Sequence, residues 1–502
     1  MYSQKDGPQL GLEYRRRFDE GYMQFDGSFT HANLIDEIGV NKGQQWRGHL
    51  FGSAVYNLSN QWRTGSDIAF ASDKSYFGRY AITSQDQLSN RVYAEGFKGR
   101  DYTVVNSYLF DDLRAGKQVL QPLVLPQSSF SMFGEPGKTW GGRWSLGGSE
   151  LVTTRDNANE PLWQQGPNTR HVSLNGGWER KLISDYGMET TISGLLRGDA
   201  YSADNVQDQR NPGVVYNHVL LGRQFEQANA VMSYPFVRNG DGYQHMISPI
   251  VAVTAAPNVH MSAKQPIEDS LDVQFDETNL FSPNRFTGTD LIEGGNRATY
   301  GMRQSVVTDS GGRLELFGGQ SFSTSHNMGF SDISGLNNHS SDYVGRFDFV
   351  PVDWFSLNYG LRLNYSDYKP QSQDANIMIG PPIFRASMRY INAYQTDTTG
   401  TLDKVHEITG RISSNFMKYY TFTAAHTQAF TPDPGPRGTS ATLNYADECF
   451  IYGVTANRTD TSRADLSSGF SVVFHIFLKN LGGAHTDSYS SPQFNTQFRQ
   501  TE

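Results

Sequence analysis

The fold class is decided by the stretch DWFSLNYGLRLNY, residues 353–365. Apolar or aromatic side chains stand at every second position from Phe355 to Tyr365, with small or polar side chains between them. Such alternation is typical of a β-strand with one apolar and one polar face, whereas a helix would scatter these residues around its circumference. The stretch therefore predicts a strand that lies between two different environments.

The same alternation recurs along the chain. It is strong at 470–478, and weaker copies stand at 101–110, 186–198, 343–350, 408–416, 419–426 and 450–457. Counting every such segment bounded by Gly, Asn, Asp, Ser or Pro gives roughly 22 to 24 strands. No segment shows the pattern of an amphipathic helix, so the sequence predicts an all-β protein.

The composition indicates where such a protein would lie. Aromatic residues make up 13% of the chain, charged residues only 19%, and the mean hydropathy is −0.53. Because no run of about 18 apolar residues is present, an α-helical membrane protein is excluded. Strands with one oily and one wet face fit a large antiparallel transmembrane β-barrel of the outer membrane, with a soluble β-sandwich as the alternative.

Aromatic residues concentrate near the ends of the predicted strands. Trp140 and Trp144, Trp354 and Phe355, and Tyr419 with its neighbour are examples. Aromatic side chains form girdles at the two membrane interfaces of outer-membrane barrels. The pattern favours such a girdle, and the alternative is that aromatic residues simply favour strands.

Several function classes have no support in the sequence. The net charge is −9, from 42 basic and 51 acidic residues, and no basic block suggests nucleic acid as a partner. Phosphate-binding, dinucleotide-binding and nucleophile-elbow motifs are missing, and the 12 His residues lack metal-ligand spacing. We therefore predict no catalytic residues, no cofactor and no metal. A barrel enzyme with Ser, His and acid on separate strands stays open, because it needs no linear motif.

Three connections are expected to be long and polar, at 200–222, 258–296 and 330–342. Structureless loops as long as 258–296 are uncommon in compact domains, so this one is expected to fold against another part of the protein, in the barrel lumen, and to have a function. It carries an acidic cluster that would suit either Ca²⁺ or a solvated loop. The cluster is Glu268, Asp269, Asp272, Asp276 and Glu277.

A distinctive series of short motifs runs from residue 247 to residue 321. It reads ISPIVAVTAAP (247–257), PIEDS (266–270), TNLF (278–281), NRFTG (284–288), Asp290, EGGNR (293–297) and GQS (319–321). The series resembles the LPS-assembly protein LptD family. YSQKDG (2–7) and LEYRRRF (12–18) are similar to the family's second periplasmic turn and third strand, and LKNLG (478–482) is similar to its final strand.

The resemblance implies a fold and a function. Family members form a barrel of about 26 antiparallel strands in the cell outer membrane, plugged by an LptE-type lipoprotein. They receive lipopolysaccharide from an LptA-type periplasmic bridge through an N-terminal jelly-roll and assemble it into the outer leaflet. A lateral gate between the first and last strands releases the lipid. The function expected is therefore lipopolysaccharide assembly without enzymatic activity, and the alternative is a porin-like or gated solute channel.

The resemblance also assigns residues. Ten of them mark the family-motif loop: Glu268, Asp269, Ser270, Asn279, Phe281, Arg285, Phe286, Gly288, Asp290 and Glu293. Arg285, Arg297 and Arg303 are expected to meet lipid phosphates or to pair with Asp290 and Glu293.

The limits of the barrel follow from the same resemblance. Residues 1–483 are expected to form an LptD-type barrel that lacks the jelly-roll and the first strands, with 463–479 as one lip of the gate. Residues 484–502 show no recognisable resemblance to the family. Cys449 stands where the family has paired cysteines, with Glu448 in the other place. It is expected either to form one disulfide with the N-terminal domain or to remain a free thiol.

Overall fold

Antiparallel strands make up most of the chain. The computed structural model describes residues 2–3, 7–35, 40–80, 82–83, 85, 87–113, 121–155, 166–208, 211, 213–259, 261–270, 274–325, 329–396, 402–431, 434–459, 469–478 and 482–485. The two helical pieces are α1 (Tyr76–Arg79) and α2 (Gly137–Trp140). Within the described ranges, no helix has both the length and the apolar character needed to cross a membrane.

The strands follow one another as a meander. They are β1 (Tyr2–Ser3), β2 (Gly7–Phe18), β3 (Gly21–Ile35), β4 (Asn41–Asn57), β5 (Trp62–Ala71), β6 (Gln87–Lys98), β7 (Asp101–Asp112), β8 (Leu123–Gly134), β9 (Arg143–Thr154), β10 (Asn168–Ile183), β11 (Glu189–Asp204), β12 (Val206–Gln207), β13 (Val215–Tyr216), β14 (Val219–Ser233), β15 (Phe236–Asn239), β16 (Tyr243–Ala255), β17 (Arg297–Thr308), β18 (Arg313–Ser323), β19 (Tyr343–Val352), β20 (Phe355–Leu363), β21 (Pro370–Ile379), β22 (Arg385–Thr396), β23 (Leu402–Phe416), β24 (Tyr420–Thr431), β25 (Gly435–Ala446), β26 (Phe450–Thr459), β27 (Gly469–Leu478) and β28 (Gly482–His485).

The all-β prediction is confirmed, and so is the number of strands. All but β12 and β13 belong to one antiparallel sheet, in which 23 strands have nine or more residues. We call this sheet the wall. Its strands pair with the next strand of the sheet along the chain, except that β14 pairs with β16 rather than with β15. The predicted strand at 353–365 is β20, and the one at 470–478 is β27.

The connections differ at the two ends of the wall. In a meander, successive connections alternate between the two ends. At the turn end they are short, as at 19–20, 99–100 and 353–354. At the loop end they are longer, as at 256–296 and 324–342. Outer-membrane barrels show this asymmetry, with short turns on the periplasmic side and long loops outside.

The prediction of a long polar loop at 200–222 is wrong. Strand β11 continues to Asp204, β14 begins at Val219, and the short strands β12 and β13 pair between them. The inward positions at this end of β11 are Tyr201 and Ala203, and the outward ones are small residues. Small outward side chains weaken the apolar alternation, which is why the sequence pattern ended the strand too early.

The closing strand needs a similar correction. Strand β27 lies within the expected 463–479, of which residues 463–468 and 479 lie outside the described residues. The short strand β28 follows it and pairs with it, from Leu478 opposite Gly482 to His475 opposite His485. Hence β27 is not the last strand, and a domain limit at 483 would cut β28.

The two faces of the wall are buried in the opposite sense to those of a soluble protein. On β10, Val172 and Leu174 are 45% and 56% exposed, while Thr169, His171 and Ser173 between and beside them are buried. Strand β27 repeats the pattern, with four exposed apolar side chains at alternate positions: Phe470, Val472, Phe474 and Ile476. An apolar outer face and a polar inner face are what a barrel in lipid requires.

The aromatic residues noted near strand ends gather at the turn end of the wall. Trp140 lies in the connection from β8 to β9, Trp144 lies at the start of β9, Trp354 lies between β19 and β20, and Tyr419 lies between β23 and β24. Trp140 and Trp354 are exposed. Their common position fits an interfacial girdle on that side of the membrane.

An arginine on the outer face tests this orientation. We expect Leu174→Arg to lower the free energy of unfolding in phospholipid vesicles by about 2–4 kcal/mol, because a charge would replace an apolar group in lipid. Tyr186→Arg, in the exposed β10–β11 turn, is the control and should change it little. Equal stability of the Leu174→Arg variant and the parent would contradict a lipid-facing Leu174.

Candidate functional site: an inner loop on the polar face of the wall

The connection from β16 to β17, residues 256–296, folds back over the polar face of the wall, and we call it the inner loop; residues 260 and 271–273 lie outside the described residues. Gln227 of β14 donates a hydrogen bond to the Pro283 carbonyl at 3.0 Å, and Thr169 of β10 donates one to Glu268 at 2.9 Å. Both wall residues are buried and alternate with outward-facing positions. The inner loop therefore lies on the face turned away from lipid.

Asp290 joins two separate parts of the inner loop. Its Oδ2 accepts hydrogen bonds from the backbone N–H groups of Glu268 at 2.6 Å and Asp269 at 3.0 Å. Its own N–H donates to the Ser270 hydroxyl at 2.9 Å, as does that of Leu291 at 3.0 Å. These bonds hold residues 268–270 against residues 290–291, which gives the loop a fixed internal structure.

Asp269 reinforces the same contact. It accepts hydrogen bonds from the Thr289 N–H at 2.9 Å, the Thr289 hydroxyl at 2.7 Å and the Asp290 N–H at 3.1 Å. Burial raises the pKa of the Asp269 carboxyl, but these hydrogen bonds stabilise the carboxylate more, so the pKa is lowered from its ordinary value. The folded loop therefore favours the charged form of Asp269.

Gly288 allows the two parts to come this close. Its φ of +70° lies in the left-handed region, and a Cβ there would stand 2.1 Å from the Asp269 carbonyl oxygen. Any other residue would meet both the conformational strain and this clash.

Glu268 fastens the inner loop to the wall. Arg155 donates to both of its oxygens, at 2.9 and 2.7 Å, and the hydroxyls of Thr153 and Thr169 donate to Oε1. This bidentate geometry is the strong form of a carboxylate pair. One side chain of the loop thus bridges the loop ends of β9 and β10.

Glu293 lies between two buried arginines. Arg285 donates to both of its oxygens, one at 2.8 Å, and Arg297 at the start of β17 pairs with Oε2. The three side chains are at most 5% exposed. Burial raises the pKa of Glu293, but the charges of Arg285 and Arg297 outweigh it, so the pKa is lowered. Arg285 and Arg297 were expected either to meet lipid phosphates or to pair with nearby carboxylates, and the structure shows them paired with Glu293. Arg303 pairs instead with Glu315 of β18.

Aromatic side chains fill the remaining space under the inner loop. Phe286 stacks on Phe330 with ring centres 3.9 Å apart, and Phe281 meets Phe317 of β18 edge-on at 6.3 Å. They border a buried cluster shared by the loop and the wall: Phe275, Leu280, Phe286, Leu291, Phe317, Phe330, Leu336 and Val344. Asn279 supports the turn before it by donating to the Gln274 carbonyl at 2.8 Å.

The structure places all ten motif residues in this loop. Its hydrogen bonds join residues 268–270 to Asp290 and Arg285 to Glu293, whereas Asn279 and Phe281 contact residues outside the ten. The structure also adds a wall cluster that sequence reasoning missed, made of His171, Arg197, Asp199, Tyr201 and Arg223 on β10, β11 and β14. The signal that could have found the cluster is alternation, because His171 and Ser173, or Asp199 and Tyr201, occupy inward positions of their strands.

The wall cluster holds the backbone at the end of the inner loop. Arg223 donates to the carbonyls of Asp290 at 2.6 Å and Thr289 at 3.2 Å, and Arg197 also donates to Thr289. His171 lies between two carboxylates, with Nε2 3.2 Å from Asp199 and Nδ1 3.3 Å from Asp290. The arginines are themselves neutralised by Asp199.

Of the other expected sites, Cys449 lies away from the inner loop, and the acidic cluster lies within it without forming a metal site among the described residues. Cys449 is exposed in the β25–β26 turn, at the opposite end of the wall. In the acidic cluster, Glu277 pairs with Arg346 at 3.0 Å, Asp276 accepts from Thr278, and Asp272 lies outside the described residues. The described part of the chain contains no group of three His, Cys, Asp or Glu residues placed to hold a metal ion.

A Ser, His and acid grouping does occur on the inner face near the start of the chain. The Ser28 hydroxyl lies 2.8 Å from His49 Nδ1, and His49 Nε2 lies 3.3 Å from Asp26. The hydroxyl is enclosed by Tyr76 of α1 and by Gln9, and Ser28 is only 4% exposed. This arrangement leaves no approach for a substrate, and the hydroxyl instead holds α1 against the wall.

Replacing Gly288 tests the close approach within the loop. We expect Gly288→Ala to detach residues 268–270 from 288–291, seen as faster amide hydrogen exchange across the inner loop. Gly187→Ala is the matched control, because Gly187 also has a positive φ, +85°, but no atom within 4 Å of its Cβ position. Gly187→Ala should lower the free energy of unfolding by only about 1–2 kcal/mol, because alanine is strained at this φ but meets no clash. Similar exchange in both variants would contradict the packing.

Buried and exposed ion pairs give a second comparison. We expect Glu293→Gln to cost about 3–5 kcal/mol in the free energy of unfolding, because it leaves two buried arginines without their carboxylate. Glu315→Gln breaks the exposed pair with Arg303 and should cost about 1 kcal/mol or less. Equal costs in the two variants would show that Glu293 is not buried as described.

Acid should loosen the inner loop. A carboxyl whose pKa is lowered by folding stabilises the folded state above its ordinary pKa of about 4, and this stability is lost as the pH falls from there toward the folded-state pKa. We expect hydrogen exchange in residues 265–293 to quicken over that range. Asp269→Asn should exchange faster at pH 7 and respond less to acid, while Asp309→Asn, in the exposed β17–β18 turn, should behave as the parent. An unchanged acid response in Asp269→Asn would refute the role of this carboxylate.

Comparison with known proteins places the chain in a family. A family model described as "LptD: LPS transport system D" matches residues 46–420, which include the inner loop and most of the wall. The LPS-assembly protein LptD of Hahella chejuensis is 21% identical over the whole chain and 62% of its own length. The LptD of Salmonella typhimurium is 20% identical over 60% of the chain and 38% of its own length.

Solved structures show a more distant similarity. The ferric enterobactin receptor PfeA in complex with BCV-L6 aligns over 94% of the chain and 73% of its own, with 9% identity and a TM-score of 0.37. This similarity is too low to bear on function. Of the two LptD relatives described above, the chain spans less than two thirds of the length of each. From the match over residues 46–420, the chain belongs to the LptD family of the lipopolysaccharide transport system, whose members lie in the outer membrane.

Proposed function

We propose that the chain forms the barrel of a translocon that assembles lipopolysaccharide into the outer leaflet of the outer membrane. The observation that carries this proposal is the family match, which extends from β4 to the start of β24 and includes the inner loop. Because the chain spans 62% and 38% of the length of the two LptD relatives, the activity is proposed for a whole LptD-type protein rather than for the barrel alone.

The two faces of the wall support this proposal physically. Lipopolysaccharide carries acyl chains and charged sugars, so its two halves need different surroundings along any route through a membrane. The sugars would follow the polar inner face, bordered by the inner loop, while the acyl chains leave sideways into lipid. A sealed hydrogen-bonded wall would prevent that step, so the proposal includes a lateral gate between the first and last strands.

The partners are proposed by the same reasoning. They are an LptE-type lipoprotein plug in the lumen and an LptA-type periplasmic bridge, reached through an N-terminal jelly-roll outside this chain. Residues 1–483 would be the barrel portion, extended by the rest of β28, with a tail to residue 502. The exposed thiol of Cys449 lies at the turn end, which is the periplasmic side in barrels of this kind, where it would either form one disulfide with that domain or remain a free thiol.

The proposed role is transport without chemistry on the lipid. We therefore propose no catalytic residue and no cofactor, in line with a family named for transport and assembly. A porin-like channel would need an open lumen, whereas the inner loop covers part of the inner face of the wall.

Depletion of the intact protein tests the function. We expect the amount of lipopolysaccharide on the cell surface to fall as the protein is depleted, with newly made lipopolysaccharide retained in inner membranes. Re-expression of the parent should restore the surface level. Normal surface lipopolysaccharide after depletion, together with steady single-channel conductance of the purified protein in planar bilayers, would instead identify a solute channel.

A further inference from the structure

A buried histidine stands where the inner loop meets the wall. His171 of β10 is 2% exposed, and its ring stacks on that of Tyr201 of β11, with ring centres 3.9 Å apart and planes 11° apart. The stack fixes the plane of the imidazole, so its two nitrogens face two different neighbours. What each nitrogen faces determines which hydrogens the ring carries.

The nitrogen Nδ1 faces the inner loop. It lies 3.3 Å from Oδ1 of Asp290, a residue that is only 1% exposed. The other oxygen of Asp290 already accepts two backbone N–H groups, but Oδ1 is buried and receives no hydrogen bond from any other group among the described residues. A buried carboxylate oxygen without a donor is costly. Nδ1 of His171 therefore carries a hydrogen.

The nitrogen Nε2 faces the wall. It lies 3.2 Å from Oδ1 of Asp199 on β11. Without a hydrogen, Nε2 would present its lone pair to this carboxylate, and two acceptors at such a distance repel each other. Nε2 therefore carries a hydrogen as well. An imidazole that donates from both nitrogens is the positively charged form of histidine.

The charges around the ring favour this form. Both groups that its nitrogens contact are carboxylates, and Leu151, opposite His171 on β9, is uncharged. The imidazolium thus lies as a cation between a carboxylate of the wall and a carboxylate of the inner loop. The other charged groups nearby have partners of their own: Arg197 and Arg223 bond Asp199 and loop carbonyls, Asp269 bonds backbone N–H groups, and Glu268 pairs with Arg155.

We propose that His171 is a charged positioning residue that holds the end of the inner loop on the wall, and that loss of its proton releases residues 289–291. Whichever nitrogen gives up its hydrogen, one of the two carboxylate contacts is lost. The attachment needs the charged ring, so it is present at lower pH and disappears as the pH rises through the point where the ring loses its proton.

This alkaline release is opposite in sign to the acid effect expected for Asp269. The end of the inner loop is therefore held most firmly at intermediate pH. The proposal does not depend on lipopolysaccharide transport, because it needs only the wall and the loop.

Amide hydrogen exchange of the intact protein in phospholipid vesicles tests this role. The protection of residues 288–293, relative to the intrinsic exchange rate at each pH, would be followed from about pH 5 to about pH 10. Once the ring has lost its proton, we expect protection to fall by about tenfold per pH unit, which is the slope for one proton. His171→Gln should remove this slope. The control His218→Gln, which breaks an exposed pair with Asp204 at 2.9 Å, should keep it.

Two further variants separate the histidine from its neighbours. Tyr201→Phe keeps the stacked ring but removes the phenol, so it should keep the slope. Asp290→Asn should lose the slope while the loop stays attached, because a carboxamide can donate a hydrogen bond to a neutral Nδ1.

Nitrogen NMR of the histidine-labelled parent observes the charge directly. The ring signal that disappears in His171→Gln should be that of a doubly protonated imidazole at neutral pH. A neutral ring, protection of residues 288–293 without an alkaline fall in the parent, or an unchanged slope in His171→Gln would overturn the proposal. None of these results bears on surface lipopolysaccharide after depletion, so the two proposals fail separately.

Discussion

Every strand of the wall has lipid on one side, and the rest of the structure depends on this constraint. Lipid leaves no water to satisfy the backbone, so the strands pair continuously and the outer positions are apolar, such as Val172 and Leu174 on β10. Polar side chains are then restricted to the other face. There His171 and its neighbours are buried, and buried polar groups require partners. The inner loop supplies part of those partners, and Asp199 of the wall supplies others.

The inner loop holds itself together and attaches to the wall with different groups. Within the loop, side chains of Asp269, Ser270 and Asp290 accept hydrogen bonds from backbone N–H groups. Toward the wall, the loop presents carboxylates and carbonyls to arginines, as between Glu268 and Arg155. Because the internal bonds do not use the wall, the loop is a compact unit seated on the inner face rather than a loose connection.

The strands were predictable where apolar side chains alternate regularly along the sequence, as in β20 and β27. The loop residues were predictable only through the resemblance to the LptD family, because their spacing matches no general motif. Their wall partners were not predictable: small outward residues ended the predicted strand at residue 198, one position before Asp199. Pairing across strands also cannot be inferred from one sequence, since Arg155 and Glu268 are 113 residues apart.

Photocrosslinking from Phe281 tests the central claim, that the inner loop is seated on the inner face of the wall. The Phe281 ring stands 3.1 Å from the Cβ position of Gly301 on β17 and faces Phe317 on β18. With a diazirine phenylalanine at this position in the intact protein in outer membranes, the account predicts intramolecular products within residues 297–323. Products with solvent or lipid alone, without any link to β17 or β18, would contradict it.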